Sequence, residues 1–142
     1  MTRFALLEHD WPKLHGDFLL EIPGLVDDFG GGLCWTWRLI AAGGHLCEEL
    51  IEGQSVCAEV IPHHRAHYLE YSGLVTPAPD GSPRGSVTQL AGGEYRLVIP
   101  PRIGEPNLVP PLIEVDLLDA MLTGRMTLRE GSGGWTAQLH RD

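Results

Sequence analysis

Apolar and polar side chains alternate with a period of two along most of this chain, most clearly over residues 14–22. Leu14, Gly16, Phe18, Leu20 and Ile22 share one face there, while His15, Asp17, Leu19 and Glu21 share the other. The same alternation predicts strands at 4–8, 33–40, 55–61, 68–75 and 113–117. A helical turn over 117–122 competes with the last of these. A hairpin of 85–90 with 94–99 is expected around Ala91-Gly92-Gly93, and a closing hairpin of 124–129 with 135–140. Turns are expected over 10–13, 30–32 and 43–44, a loop over 76–84, and an irregular proline-rich excursion over 100–111. Many short antiparallel strands with little helix predict an all-β fold, a small closed antiparallel β-barrel in one domain over residues 1–142. Trp35 and Trp37 lie on one strand face and are expected to fill its core.

Composition agrees with that picture. Of 142 residues, 18 are Gly and 11 are Pro, which disfavours a helical bundle. No apolar run approaches the roughly 18 residues of a membrane span. Glu8 and His9 come too early for a signal peptide, so a cytoplasmic protein with no membrane partner is expected. Cys34, Cys47 and Cys57 lack metal-type spacing and sit among apolar or small neighbours. They read as reduced, buried, structural thiols. Lys13 is the sole lysine and fits no P-loop or Schiff-base motif, which removes lysine chemistry from consideration.

Charge narrows the partners. The formal net charge is -9, and between Arg38 and Arg65 the chain carries Glu48, Glu49, Glu52 and Glu59 with no Lys or Arg. Such a field repels a nucleic-acid backbone, so non-specific DNA coating is excluded unless a local patch or a metal reverses it.

The chemistry concentrates in histidine. Five of the 7 histidines fall in two clusters, His9-x5-His15-x-Asp17 and His63-His64-x2-His67-Tyr68. His15 and Asp17, two apart in a strand, project from one face, and His9 precedes the turn that feeds that strand. Two imidazoles and a carboxylate suit Zn, Mn or Fe(II). His45 and His140 have no such partners and read as surface residues. Trp11 beside the turn reads as a packing residue, with nucleobase stacking the second option.

His9, then five residues, then Leu14-His15-Gly16-Asp17-Phe18-Leu19-Leu20-Glu21, resembles the opening signature of the 3′-phosphoesterase domain family that accompanies bacterial DNA ligase D. His64-Arg65-Ala66-His67-Tyr68-Leu69-Glu70-Tyr71-Ser72-Gly73 is similar to that family's second block. Gly85-Ser86-Val87, then Leu122, Gly124, Leu128 and Trp135, follow its later order. The resemblance implies a small closed β-barrel and a divalent metal, manganese foremost, held by His9, Asp17 and His64. It gives His15 and Tyr68 to the phosphate as catalytic residues. It implies removal of a 3′-ribonucleoside, a 3′-phosphate, or both from a DNA or RNA–DNA 3′ end, with ligase and polymerase as separate proteins.

Two positions depart from the family. Leu19 and Val56 stand where it has arginines, and losing such charge-assisted contacts weakens a phosphate clamp. Arg84, with Arg65 as the other option, is then the candidate phosphate-binding residue. The alternative reading is a metal-binding barrel that has lost turnover and holds a protein or a nucleic-acid end.

Overall fold

The computed structural model describes residues 2–26, 30–98, 109–119 and 121–141. Alternating side chains build strands β1 (Arg3–His9), β2 (His15–Val26), β3 (Gly32–Ile40) and β4 (Val56–Arg65). After them come β5 (Gly73–Leu74), β6 (Ser86–Leu97), β7 (Leu112–Leu118), β8 (Gly124–Gly131) and β9 (Gly134–His140). They form one antiparallel sheet in the order β1-β2-β3-β4-β9-β8-β7-β6-β5, and β1 pairs a second time with β6. That second pairing wraps the sheet into a ring, with β5 as an extra strand on the outer side of β6.

The ring is all-β, as the alternation implies. The one α-helix described, α1 (Leu46–Ile51), lies between β3 and β4. Leu50 is buried in the core, and Leu46, Cys47 and Ile51 pack against it. Glu49 Oε2 accepts hydrogen bonds from the Gly43 and His45 amides, which ties the Gly43-Gly44 turn to the helix. No helix among the described residues is long and apolar enough to cross a membrane.

Inward positions of each strand fill the ring. Phe4, Phe18, Trp35, Trp37 and Tyr95 are all at most 1% exposed, so both central tryptophans belong to the core. Trp11, by contrast, is 42% exposed and does not pack as expected. Cys57 is exposed as well, which corrects its reading as a buried thiol. It occupies an outward position of β4, beside inward Val56. Cys34 is buried, Cys47 is partly buried, and all three are free thiols. Burial pushes the Cys34 thiol up to about 12, so it carries no nucleophile at neutral pH.

Two strand assignments need correction. Residues 85–99 do not fold back as a hairpin, because β6 runs through Ala91-Gly92-Gly93 without turning. Neither glycine has the positive φ of a tight turn. Their role is close approach: a Cβ on Gly93 would lie 2.5 Å from the Leu118 carbonyl, where β6 passes from β1 to β7. Residues 68–75 are not one strand either. Ala66–Glu70 forms a 3-10 turn, and only Gly73–Leu74 pairs as a strand. Between 117 and 122 the strand reading holds through Leu118, where β7 ends. Most of the proline-rich 100–111 excursion lies outside the described residues.

The 3-10 turn is explained by what it covers. Outward positions of β1, β2 and β3 carry Ala5, Leu7, Leu19 and Cys34, an apolar patch on the wrong side of the sheet. Leu69 folds onto it from the turn and Val87 from β6, with Tyr68, Tyr71 and Val75 packed around. The ring thus has a second, smaller core on its outside. Leu19 is fully buried at its centre. Replacing it by Ala should cost about 2–5 kcal/mol of unfolding free energy. Urea denaturation of Leu19→Ala should show this, and an unchanged midpoint would contradict the second core.

Candidate metal centre

The edge of this outer core carries the polar cluster. In the β1–β2 register His9 stands opposite His15, and Asp17 opposite Leu7. His9, His15 and Asp17 therefore converge on the outer face, as period-two alternation requires. His64 arrives from β4, opposite Cys34 of β3. A register shift in that pairing, between Cys34 and Thr36, lets the His63-His64 end of β4 bend over the sheet.

Distances are short. Asp17, 2% exposed, has Oδ1 3.0 Å from His15 Nε2 and Oδ2 3.3 Å from His9 Nδ1. His64 Nε2 is 3.9 Å from the same Oδ2. One donor atom each from His9, His15 and Asp17 lies within 4.8 Å of the others, a spacing that can hold a metal ion. His64 stands outside that tightest trio but shares Oδ2 with His9.

The outer nitrogen of each ring fixes which nitrogen carries the proton. His9 Nε2 donates to the Arg84 carbonyl at 2.8 Å, His15 Nδ1 to the Lys13 carbonyl at 2.8 Å, and His64 Nδ1 to the Pro62 carbonyl at 3.1 Å. A carbonyl only accepts, so each of those nitrogens bears the hydrogen. In the neutral rings the lone pairs therefore lie on His9 Nδ1, His15 Nε2 and His64 Nε2, all turned toward one carboxylate. Lone pairs facing a carboxylate repel it unless a proton or a cation sits between them. His15 Nε2 and Asp17 Oδ1 show the strain of this arrangement: they are 3.0 Å apart, yet neither is aligned with a hydrogen-bond partner, and both are buried. Hard carboxylate oxygen plus imidazole nitrogen is a donor set for a divalent transition metal.

An open pocket of about 350 Å³ lies over the cluster. Its wall includes His9, Asp17, His64, Tyr68, Arg65 and Arg84, five of the six residues assigned from sequence together with Arg65. His15 is 5% exposed at the side chain and borders a separate small cleft beside Gly16 and Leu39. Tyr68 packs edge-on against His64 at 5.9 Å and His67 at 4.1 Å between ring centroids. The Arg65 guanidinium is 5.9 Å from the Tyr68 ring centre. His63 also lines the pocket, and burial followed by the neighbouring His64 charge lowers its pKa. His45 and His140 are exposed, as expected.

The backbone around Arg84 has a role that the sequence did not suggest. Its carbonyl orients His9. The Ser86 amide and hydroxyl donate to the Asp10 carboxylate at 2.7 and 2.9 Å. Gly85 has φ of 74°, and a Cβ there would meet Asp10 and Trp11 below 3 Å, so only glycine fits between the two loops. Leu19 is buried under the 3-10 turn, and Val56 belongs to the inner core, so neither position faces the pocket. Arg38 was missed altogether. The β2–β3 register sets it opposite Asp17, a pairing invisible until the strands are aligned.

His15 has its pKa raised, first by its pairing with Asp17 and against desolvation by burial. The Lys13 carbonyl and the Asp17 charge add to the rise, and the Arg38 charge opposes it. A folded-state pKa above the unfolded value of about 6.5 stabilises the fold below that value, and this contribution is lost as pH climbs through the folded pKa. In the metal-free protein the His15 contribution to thermal stability should therefore fall as pH rises from about 6 into the mildly alkaline range, against the opposite contribution of His63. His15→Asn, whose amide can keep the Lys13 bond, should remove that fall from melting curves across pH. An equal slope in both proteins would refute the coupling. Compared with models of known protein families and with curated proteins, the chain matches none.

Proposed function

We propose that the protein is a divalent-metal-dependent phosphoesterase acting on DNA 3′ ends, removing a 3′-ribonucleoside, a 3′-phosphate or both. One observation carries the reading: three imidazoles, each held at its other nitrogen by a backbone carbonyl, turn a ring nitrogen on a single buried carboxylate at the wall of an open pocket that also carries two arginines. The resemblance of both histidine blocks to the ligase D phosphoesterase domains supplies the substrate class.

We assign the metal to His9, Asp17 and His64, with manganese the expected ion and zinc or another transition metal the alternatives. His9 and His64 both address Asp17 Oδ2, whereas His15 sits on Oδ1. When bound, the cation supplies Lewis acidity, offsetting negative charge that builds on a phosphoryl oxygen. The protein's own residues do the rest. His15, when protonated at Nε2, gives its proton to the leaving oxygen as water attacks the phosphorus, and its pairing with Asp17 raises its pKa. Tyr68 offers a phenolic hydrogen bond to the phosphate. Arg84 and Arg65 bring positive charge to the rim. A net charge of -9 leaves little long-range attraction for duplex backbone, which suits recognition of a single strand end.

A second reading has an observation in its favour. No arginine side chain occupies positions 19 or 56, and both positions are buried, so a metal-bearing barrel that binds an end without cleaving it is the competing account. Product formation separates the two. With manganese and a primer carrying a 3′-ribonucleotide or 3′-phosphate, the wild type should release product. Absence of product at high enzyme, with metal binding intact, would favour the binder.

The ligand assignment has its own test. In isothermal titration, Asp17→Asn and His64→Ala should each weaken manganese binding about tenfold or more. His15→Asn should leave it within a few-fold while abolishing most turnover. If His15→Asn loses the metal and His64→Ala keeps it, the tighter trio of His9, His15 and Asp17 is the ligand set.

A further inference from the structure

Among the cations near the centre, Arg38 is placed unlike the others. Arg65 and Arg84 are exposed residues on the pocket rim. Arg38 rises from the middle of β3, directly opposite Asp17 in the β2–β3 register. Its strand neighbours Trp37 and Leu39 point into the core and are fully buried, so alternation sends Arg38 to the outer face that carries His15 and Asp17. Its guanidinium Nε is buried without a hydrogen-bond partner. Glu59 stands opposite it on β4, yet none of the ion pairs among the described residues includes Arg38.

A buried N–H donor left unpaired costs free energy that the fold has no reason to bear unless something else takes it up. Four buried polar side-chain atoms among the described residues lack an aligned hydrogen-bond partner; besides Trp37 Nε1 in the core, they are Arg38 Nε, His15 Nε2 and Asp17 Oδ1, on the outer face of adjacent strands. Of these outer three, the first is a cationic donor, the second a donor when protonated, and the third an acceptor. Resting on the phosphoesterase reading, we propose that Arg38 is the phosphate-positioning residue of this centre, its guanidinium fork holding a phosphoryl oxygen beside His15. A planar fork on a rigid strand loses little freedom when it binds, and it matches the geometry of a tetrahedral oxyanion. The rim arginines then adjust the rest of the substrate, while Arg38 fixes the reacting group.

The test uses the full chain, with inorganic phosphate and vanadate as probes. Isothermal titration of phosphate into the manganese-loaded protein should show binding weakened about tenfold or more in Arg38→Gln, with partial recovery in Arg38→Lys. Manganese affinity should stay within a few-fold of wild type. On a 3′-phosphate primer, Arg38→Gln should lower kcat/KM by about 100-fold or more. Glu59→Gln, which alters only the facing carboxylate, should change phosphate binding little. If Arg38→Gln and Arg38→Lys both bind phosphate like the wild type, the proposal falls. Should Arg38→Gln fail to fold, Arg38→Lys decides, since it keeps the charge and loses the fork. A wild type that binds phosphate through Arg38 but releases no product overturns the enzymatic reading and keeps the anion site.

Discussion

Strand β1 holds the molecule together because both of its edges are used. It pairs with β2 along one edge and with β6 along the other, and the second pairing turns a sheet into a ring. His9, His15 and Asp17 hang from β1 and from β2, which it aligns. A slip of one residue between β1 and β2 would turn Phe18 outward and Asp17 into the core, exchanging a packing residue for a buried charge. The register is thus protected from two sides. The inner face is held by aromatic packing, and the outer by the Leu7 and Leu19 patch under its 3-10 cover.

That arrangement explains how much of the molecule could be read from its residues. Strand positions over 14–22 and 33–40 were legible because alternation between a dry and a wet face leaves a clean pattern. The convergence of His9, His15 and Asp17 followed from the same rule. Gly92-Gly93 misled because glycine serves two needs, a positive φ in a turn and a bare backbone at a crowded strand crossing, and sequence does not distinguish them. The segment after His67 misled for another reason. Its apolar residues cover an outward patch, and they are placed by what lies beneath them. Arg38 was hidden because cross-strand neighbours are far apart in the chain.

Charge is distributed unevenly about the centre. The formal charge is -9, whereas Arg65 and Arg84 line the pocket with buried Asp17, and Arg38 stands opposite Asp17 in the β2–β3 register. Screening by salt removes most of the repulsion beyond about 10 Å. Near buried Asp17 a lower effective dielectric strengthens the interactions among the local charges.

Arg84 meets the centre in two separable ways. Its carbonyl orients His9, while its side chain lies on the pocket wall. The first contribution belongs to the peptide unit and is secured by Gly85 and the Asp10–Ser86 clasp, whatever side chain position 84 bears. The second belongs to the side chain alone. Substitution at position 84 therefore changes the pocket wall and leaves the His9 geometry unaltered.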